Sequence, residues 1–160
     1  MLYKVLTGDT RVWIYQSNRP LTKTEVKSIK EQGVAFILRW SAHGAKLNAA
    51  FEVFHNQFIA LFVDEAQAKA SGCSIDKSVR LIKQFETEFD ILLLNRDLVA
   101  YMNNEQVVTC TREEFVELVK LGQIKDSTIV FNNLVSNKDE FDNKWMLPLK
   151  DSWHFELISK

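Results

Sequence analysis

Apolar positions alternate over residues 11–16, with Val12 and Ile14 on one side and Trp13 and Tyr15 on the other. This two-residue period predicts a strand, which Pro20 separates from the next element. Thr22-x-x-Glu25 has the form of a capping box, in which side chains and amides at a helix start satisfy each other. Val26, Ile29, Gly33, Phe36, Ile37 and Trp40 follow at helical spacing, so a first helix is expected from about residue 22 to 40. Gly33 is the weak point of that helix, costing about 1 kcal/mol relative to Ala, and suits a close approach by another element.

Residues 41–46 read as a loop. Leu47, Ala49, Phe51 and Val53 alternate again, and residues 58–63 are apolar at every position. The second pattern is that of a central strand covered on both faces. With His55-Asn56-Gln57 as a tight turn, the two strands should pair as a hairpin that ends at Asp64-Glu65. After a loop of small residues, Ser74 is the expected N-cap of a second helix, with Asp76 in its first turn. Ile75, Val79, Ile82, Phe85 and Phe89 mark its buried stripe. Residues 91–94 fit a helix end or a strand. Residues 98–102 and 106–110 flank Asn103-Asn104, a pair suited to a hairpin turn because Asn tolerates positive φ. Thr111-x-x-Glu114 opens a short helix to Gly122, and residues 128–131 form a further strand. The tail, with Trp145, Pro148 and Trp153, carries no clear period.

The order is β-α-β-β-α-β followed by β-α-β: an α+β chain with an antiparallel or mixed sheet and about three helices. Its first part has the element order of a split βαβ, ferredoxin-like arrangement. The 160 residues fit a single domain, and neither repeat nor linker interrupts them.

Composition narrows the function classes. The formal net charge is -1, so no long-range field gathers a phosphate backbone, and nucleic acid is not an expected partner. No stretch approaches the ~20 apolar residues of a membrane helix, and the first residues are too short an apolar run for a signal peptide. The two cysteines, Cys73 and Cys110, form no CxxC. They read as free thiols of a reducing compartment, and the cytoplasm is the expected location. None of the five glycines is followed by lysine, which excludes a phosphate loop, and no GxGxxG, GxSxG or HExxH occurs. No Cys/His spacing resembles a zinc site, so neither metal nor cofactor is expected.

Three constellations remain. Ser71-Gly72-Cys73-Ser74-Ile75-Asp76-Lys77 runs into the second helix. Its amides and hydroxyls, with Lys77 and Arg80 nearby, suit an anion. The same setting can lower a thiol pKa and make Cys73 a nucleophile, or it can be a capped turn with Cys73 as filler. Trp40-Ser41-Ala42-His43-Gly44 places His43 in a loop, either as a base or as the end of a helix with Gly44 at positive φ. Asp64-Glu65 closes a buried strand, as functional carboxylates or as solvated strand ends. Ser152-Trp153-His154, with Trp145, can line a cleft or dock the tail.

On Trp40-x-x-His43-Gly44, Asp64-Glu65, the run from Ser71 to Asp76 and Ser152-Trp153-His154, the chain resembles a family of small bacterial proteins that circulates under the label "ABC transporter ATPase". The likeness covers most of the chain, and the run from Ser71 to Asp76 is its most specific part. The resemblance implies a stand-alone cytoplasmic protein and no chemistry at particular residues. The label's ATP hydrolysis is not expected, because the phosphate loop is missing.

The leading expectation is a binding protein without a reaction of its own. The His43 loop, the Asp64 strand end, and Ser71, Gly72, Ser74, Asp76 and Lys77, with Trp40 and Trp153, would hold a small anionic ligand or a protein partner. The second is an enzyme with Cys73 as nucleophile and His43 or His154 as base. The third is a structural subunit that docks through its aromatic tail.

Overall fold

The computed structural model describes residues 2–159. After a short 3-10 turn (Leu2–Val5), the chain forms β1 (Arg11–Gln16) and α1 (Lys23–Arg39). A miniature hairpin follows, β2 (Ser41–Ala42) and β3 (Ala45–Lys46), where a loop was expected. Then come β4 (Asn48–Phe54), β5 (Phe58–Asp64), α2 (Gly72–Phe89), β6 (Leu98–Asn103), β7 (Gln106–Thr111) and α3 (Arg112–Lys120). The tail is ordered as β8 (Ile129–Phe131), α4 (Lys138–Lys144), β9 (Met146–Pro148) and α5 (Phe155–Ile158). Five α-helices therefore stand among the described residues, against about three expected. The excess lies in α4 and α5, too short to show a period. None of these helices is long and apolar enough to cross a membrane.

Local chemistry explains the boundaries. Thr22 and Glu25 form the reciprocal capping box at the start of α1. Glu25 also takes a bidentate ion pair from Arg19, at 2.9 and 2.8 Å, which with the Thr22 amide holds its carboxyl down to about 2. The N-cap of α2 is Ser71, not Ser74. Ser71 Oγ accepts from the Ser74 amide and Ser74 Oγ from the Ser71 amide, so the helix starts a turn earlier than its apolar stripe. In the β6–β7 hairpin Asn103 pairs with Gln106, and the bend falls on Asn104-Glu105 at φ 49° and 67°. Both central residues have the positive φ of a type I′ turn.

The strands divide into two larger antiparallel sheets. In the first, order β1-β5-β4, β5 lies between β1 and β4, as in half of a ferredoxin-like sheet. The resemblance to that arrangement stops there. β6 does not join the free edge of β1; instead residues 136–138 lie along it, through Val12 N–H to Ser136 O (3.0 Å) and Lys138 N–H to Thr10 O (2.8 Å). β6 founds a second sheet, order β7-β6-β8-β9. The cause is the second apolar face of β5. Ile59, Leu61 and Val63 pack under α1 and α2, while Phe58, Ala60 and Phe62 face Ala100 and Phe131 of the second sheet. The far face of that sheet, with Val99, Tyr101 and Val130, is covered by Phe115 of α3 and Leu157 of α5. The layers run helices, sheet, sheet, helices. Trp145 and Phe141 from the tail stack at 4.7 Å and close the gap between the sheets.

Gly33 lies where α1 crosses β4, and a Cβ there would overlap the Phe51 ring along its whole near side. Gly33→Ala is expected to destabilise the fold by about 2 kcal/mol, because overpacking outweighs the gain of about 1 kcal/mol in helix propensity. Urea unfolding reads this directly. A variant as stable as the parent would mean that Phe51 has room to turn aside.

Candidate functional site

Trp40 ends α1 and is buried, 2% exposed. Its indole Nε1–H donates to Ser74 O at 2.8 Å, and its ring packs on Phe36 at 5.1 Å and Trp13 at 6.4 Å. It pins the end of one helix to the start of the next. It has no face left for a ligand, contrary to its expected role. The β2–β3 hairpin follows, with His43 and Gly44 at φ 51° and 81° on its exposed tip.

The polar groups expected to bind a ligand are largely engaged by the chain itself. Asp64 accepts from the Ala66 amide (3.0 Å) and from Asn48 Nδ2 (3.4 Å). Glu65 accepts from the Ala70 amide (2.8 Å) and pairs with Arg11 (3.6 Å). Ser71 and Ser74 cap each other, and Ser74 is buried. Gly72, Cys73 and Asp76 are exposed on the first turns of α2. The start of α2 is thus a self-capped terminus beside the Trp40 pin.

His154 lies elsewhere. It precedes α5 in the helical layer on the far side of both sheets from α2. It is 1% exposed, its Nδ1 meets Ser152 Oγ at 2.6 Å, and its ring stacks on Trp153 at 4.0 Å. Burial, then the charge of Arg112, takes its pKa down to about 4. The expected pairing of Cys73 with His154 is therefore not made: two sheets separate the groups. Trp153 is likewise distant from the α2 start. It packs under Arg112, whose guanidinium carbon is 5.2 Å from the ring centre.

The two thiols differ. Cys73 is exposed, whereas Cys110 is buried and its thiol is pushed up to about 11, by burial first and Glu114 second. An alkylating reagent at pH 8 is expected to modify Cys73 alone in the native protein and both thiols in urea. Peptide mapping that found Cys110 modified at a similar rate in native protein would contradict the packing of the second sheet.

Two grooves open beside α1. The larger, about 450 Å³, runs along the outer edge of β4 and is walled by Val34, Ile37 and Leu38. Its Lys30 is neutralised by Glu52 at 2.9 Å. The second, about 370 Å³, lies between α1 and α2. Gln32, Ala35, Phe36 and Arg39 line it from α1, and Lys77, Arg80, Leu81 and Gln84 from α2. Each set has i, i+3, i+4, i+7 spacing, one face of a helix. Arg39, Lys77 and Arg80 are exposed, form no ion pair among the described residues, and no carboxylate lines the groove with them. Of the residues expected from sequence, Lys77 and Arg80 line the second groove. Arg39 escaped notice because its relation to Lys77 and Arg80 arises only when the helices pack side by side. The signal available was the matching spacing of the two stripes.

These features define an α+β protein of helix-sheet-sheet-helix layers with a cationic groove in one outer layer. Comparison with family models, curated proteins and solved structures found no match.

Proposed function

We propose that this protein is a binding protein that holds an anionic ligand in the groove between α1 and α2. The observation that carries the reading is the convergence of Arg39, Lys77 and Arg80, without ion-pair partners among the described residues, on one concave surface lined by no described carboxylate. Three like charges held together repel one another, and an anion between them relieves that repulsion. Gln84 adds an amide donor, and Phe36 and Leu81 supply an apolar floor. This keeps the anionic ligand expected from the sequence and moves it from the helix start to the helix face, where Arg39, Lys77 and Arg80 form no ion pair among the described residues.

Inorganic pyrophosphate is the simplest probe. A ligand that prefers the folded chain raises its melting temperature. Millimolar pyrophosphate is expected to raise that of the parent protein and to leave Lys77→Glu/Arg80→Glu unchanged. Both positions are solvent-facing on α2, and a carboxylate near a helix N-terminus does not oppose the helix dipole. An equal rise in both proteins would overturn the assignment to this groove.

A further inference from the structure

We propose that the anion this groove receives belongs to a protein: an amphipathic helix of a partner, carrying an acidic turn at one end, laid between α1 and α2. The inference rests on the anion-binding reading above and specifies the ligand.

The walls are two helices side by side. Trp40 at the end of α1 bonds to Ser74 near the start of α2, and Gln32 Nε2 donates to both carboxylate oxygens of Glu88, each at 3.1 Å, near the end of α2. As the α1 number rises the α2 number falls, so the helices run antiparallel. From Gln32 to Arg39 the groove extends about 10 Å at 1.5 Å per residue. That is two turns of a third helix, and the two stripes offer it ridges on both sides. Ala35, small and exposed, leaves room for close approach, while half-buried Phe36, over the largely buried Leu81, gives an apolar seam. A lone phosphate would use neither.

Charge along the groove sets the direction. Arg39, Lys77 and Arg80 gather at one end, and the Glu88 carboxylate stands beyond Gln32 at the other. A small symmetrical anion complements only the first end. A helix with glutamates in one terminal turn, apolar residues at i, i+3, i+4 and i+7, and lysines in the other terminal turn complements both ends and the seam. This is the helix-in-groove mode of recognition, with electrostatics fixing orientation.

The test uses the full chain and three fluorescent peptides of about 16 residues, long enough to fold on a surface. The first has the glutamate turn, the apolar stripe and the lysine turn. The second has the same composition shuffled to remove the stripe. The third is the first with its glutamate turn replaced by lysines while the stripe is kept. By anisotropy the first should bind about tenfold or more tighter than the second, and lose about tenfold on Lys77→Glu/Arg80→Glu. That variant should now prefer the third peptide. Arg39→Gln provides a second, milder variant, and circular dichroism checks that each is folded. If the first and second peptides bind equally, or neither variant weakens the first, the helix inference falls. Should pyrophosphate then still raise the melting temperature of the parent but not of the double variant, the anion reading survives alone. If neither peptide nor pyrophosphate binds, both readings fall.

Discussion

Trp40→Ala is expected to cost about 3–5 kcal/mol of folding stability, the range for truncating a fully packed tryptophan. The indole fills the junction where α1 ends, the β2–β3 hairpin begins and α2 starts, and three contacts meet there. Its ring packs on Phe36 and Trp13, its Nε1–H satisfies Ser74 O, and its backbone carbonyl receives the Leu47 amide at 3.0 Å to close the hairpin. Only the first two are lost with the side chain. Trp40→Phe separates them. It keeps most of the apolar volume but cannot donate, so it should cost about 1–2 kcal/mol, mostly from the abandoned bond to Ser74. Because that bond ties two helix ends together, amide exchange in both variants should rise first at the hairpin and the first turn of α2. Chemical unfolding and exchange together decide the matter. A loss below about 1 kcal/mol for Trp40→Ala would show that the two helices are held by their shared sheet alone. The same junction sets the near end of the cationic groove, since Arg39 precedes Trp40 and Lys77 lies one turn beyond Ser74. Trp40→Phe should therefore weaken pyrophosphate binding less than Lys77→Glu/Arg80→Glu does, although Trp40 touches no ligand.

Elements with a strong local period were legible in the sequence. β1, α1, the β4–β5 hairpin and the β6–β7 hairpin follow from alternation, capping residues and turn chemistry, each decided within a dozen neighbours. The start of α2 was displaced because Ser71 and Ser74 both suit a cap, and the choice is made by their mutual bonds and by Glu65 taking the Ala70 amide. The second sheet was not legible. Even-numbered β5 residues showed that something covered them, but not whether a strand or a helix did so. That β6 pairs with β8, at Tyr101 and Val130, depends on contacts distant in sequence. α4, β9 and α5 span seven, three and four residues, less than two periods of helix and too little alternation to register. The candidate site divides in the same way. Lys77 and Arg80 stood out as cations near the start of the second helix, and the aromatic tail as a clamp. Arg39 became their neighbour only through helix packing, and His154 parted from Cys73 only because two sheets intervene.

His154 gives the protein its largest expected response to pH between pH 7 and 4.5. The imidazole is enclosed by Phe115, Trp153 and Ser152, with the Arg112 guanidinium as the nearby charge, and its pKa lies at about 4. In the unfolded chain it returns to about 6.5. Between those values the unfolded chain takes up a proton that the folded chain refuses, so stability falls as pH falls from 6.5 towards 4 and is fully present above 6.5. A separation of this size corresponds to about 3 kcal/mol. His55, its pKa also lowered by burial, adds a smaller contribution of the same sign in the same window. The carboxylates with lowered pKa, Glu25 and Glu140, begin to act only below about pH 4.5. Urea unfolding between pH 7 and 4.5 therefore isolates the histidines. His154→Gln keeps a polar group against Ser152 without a titrating ring. It should be less stable than the parent at pH 7 and should lose most of the slope between pH 6.5 and 4.5, so that the two curves converge in acid. Parallel curves would mean that water reaches the imidazole, and that α5 does not close the outer face of the second sheet.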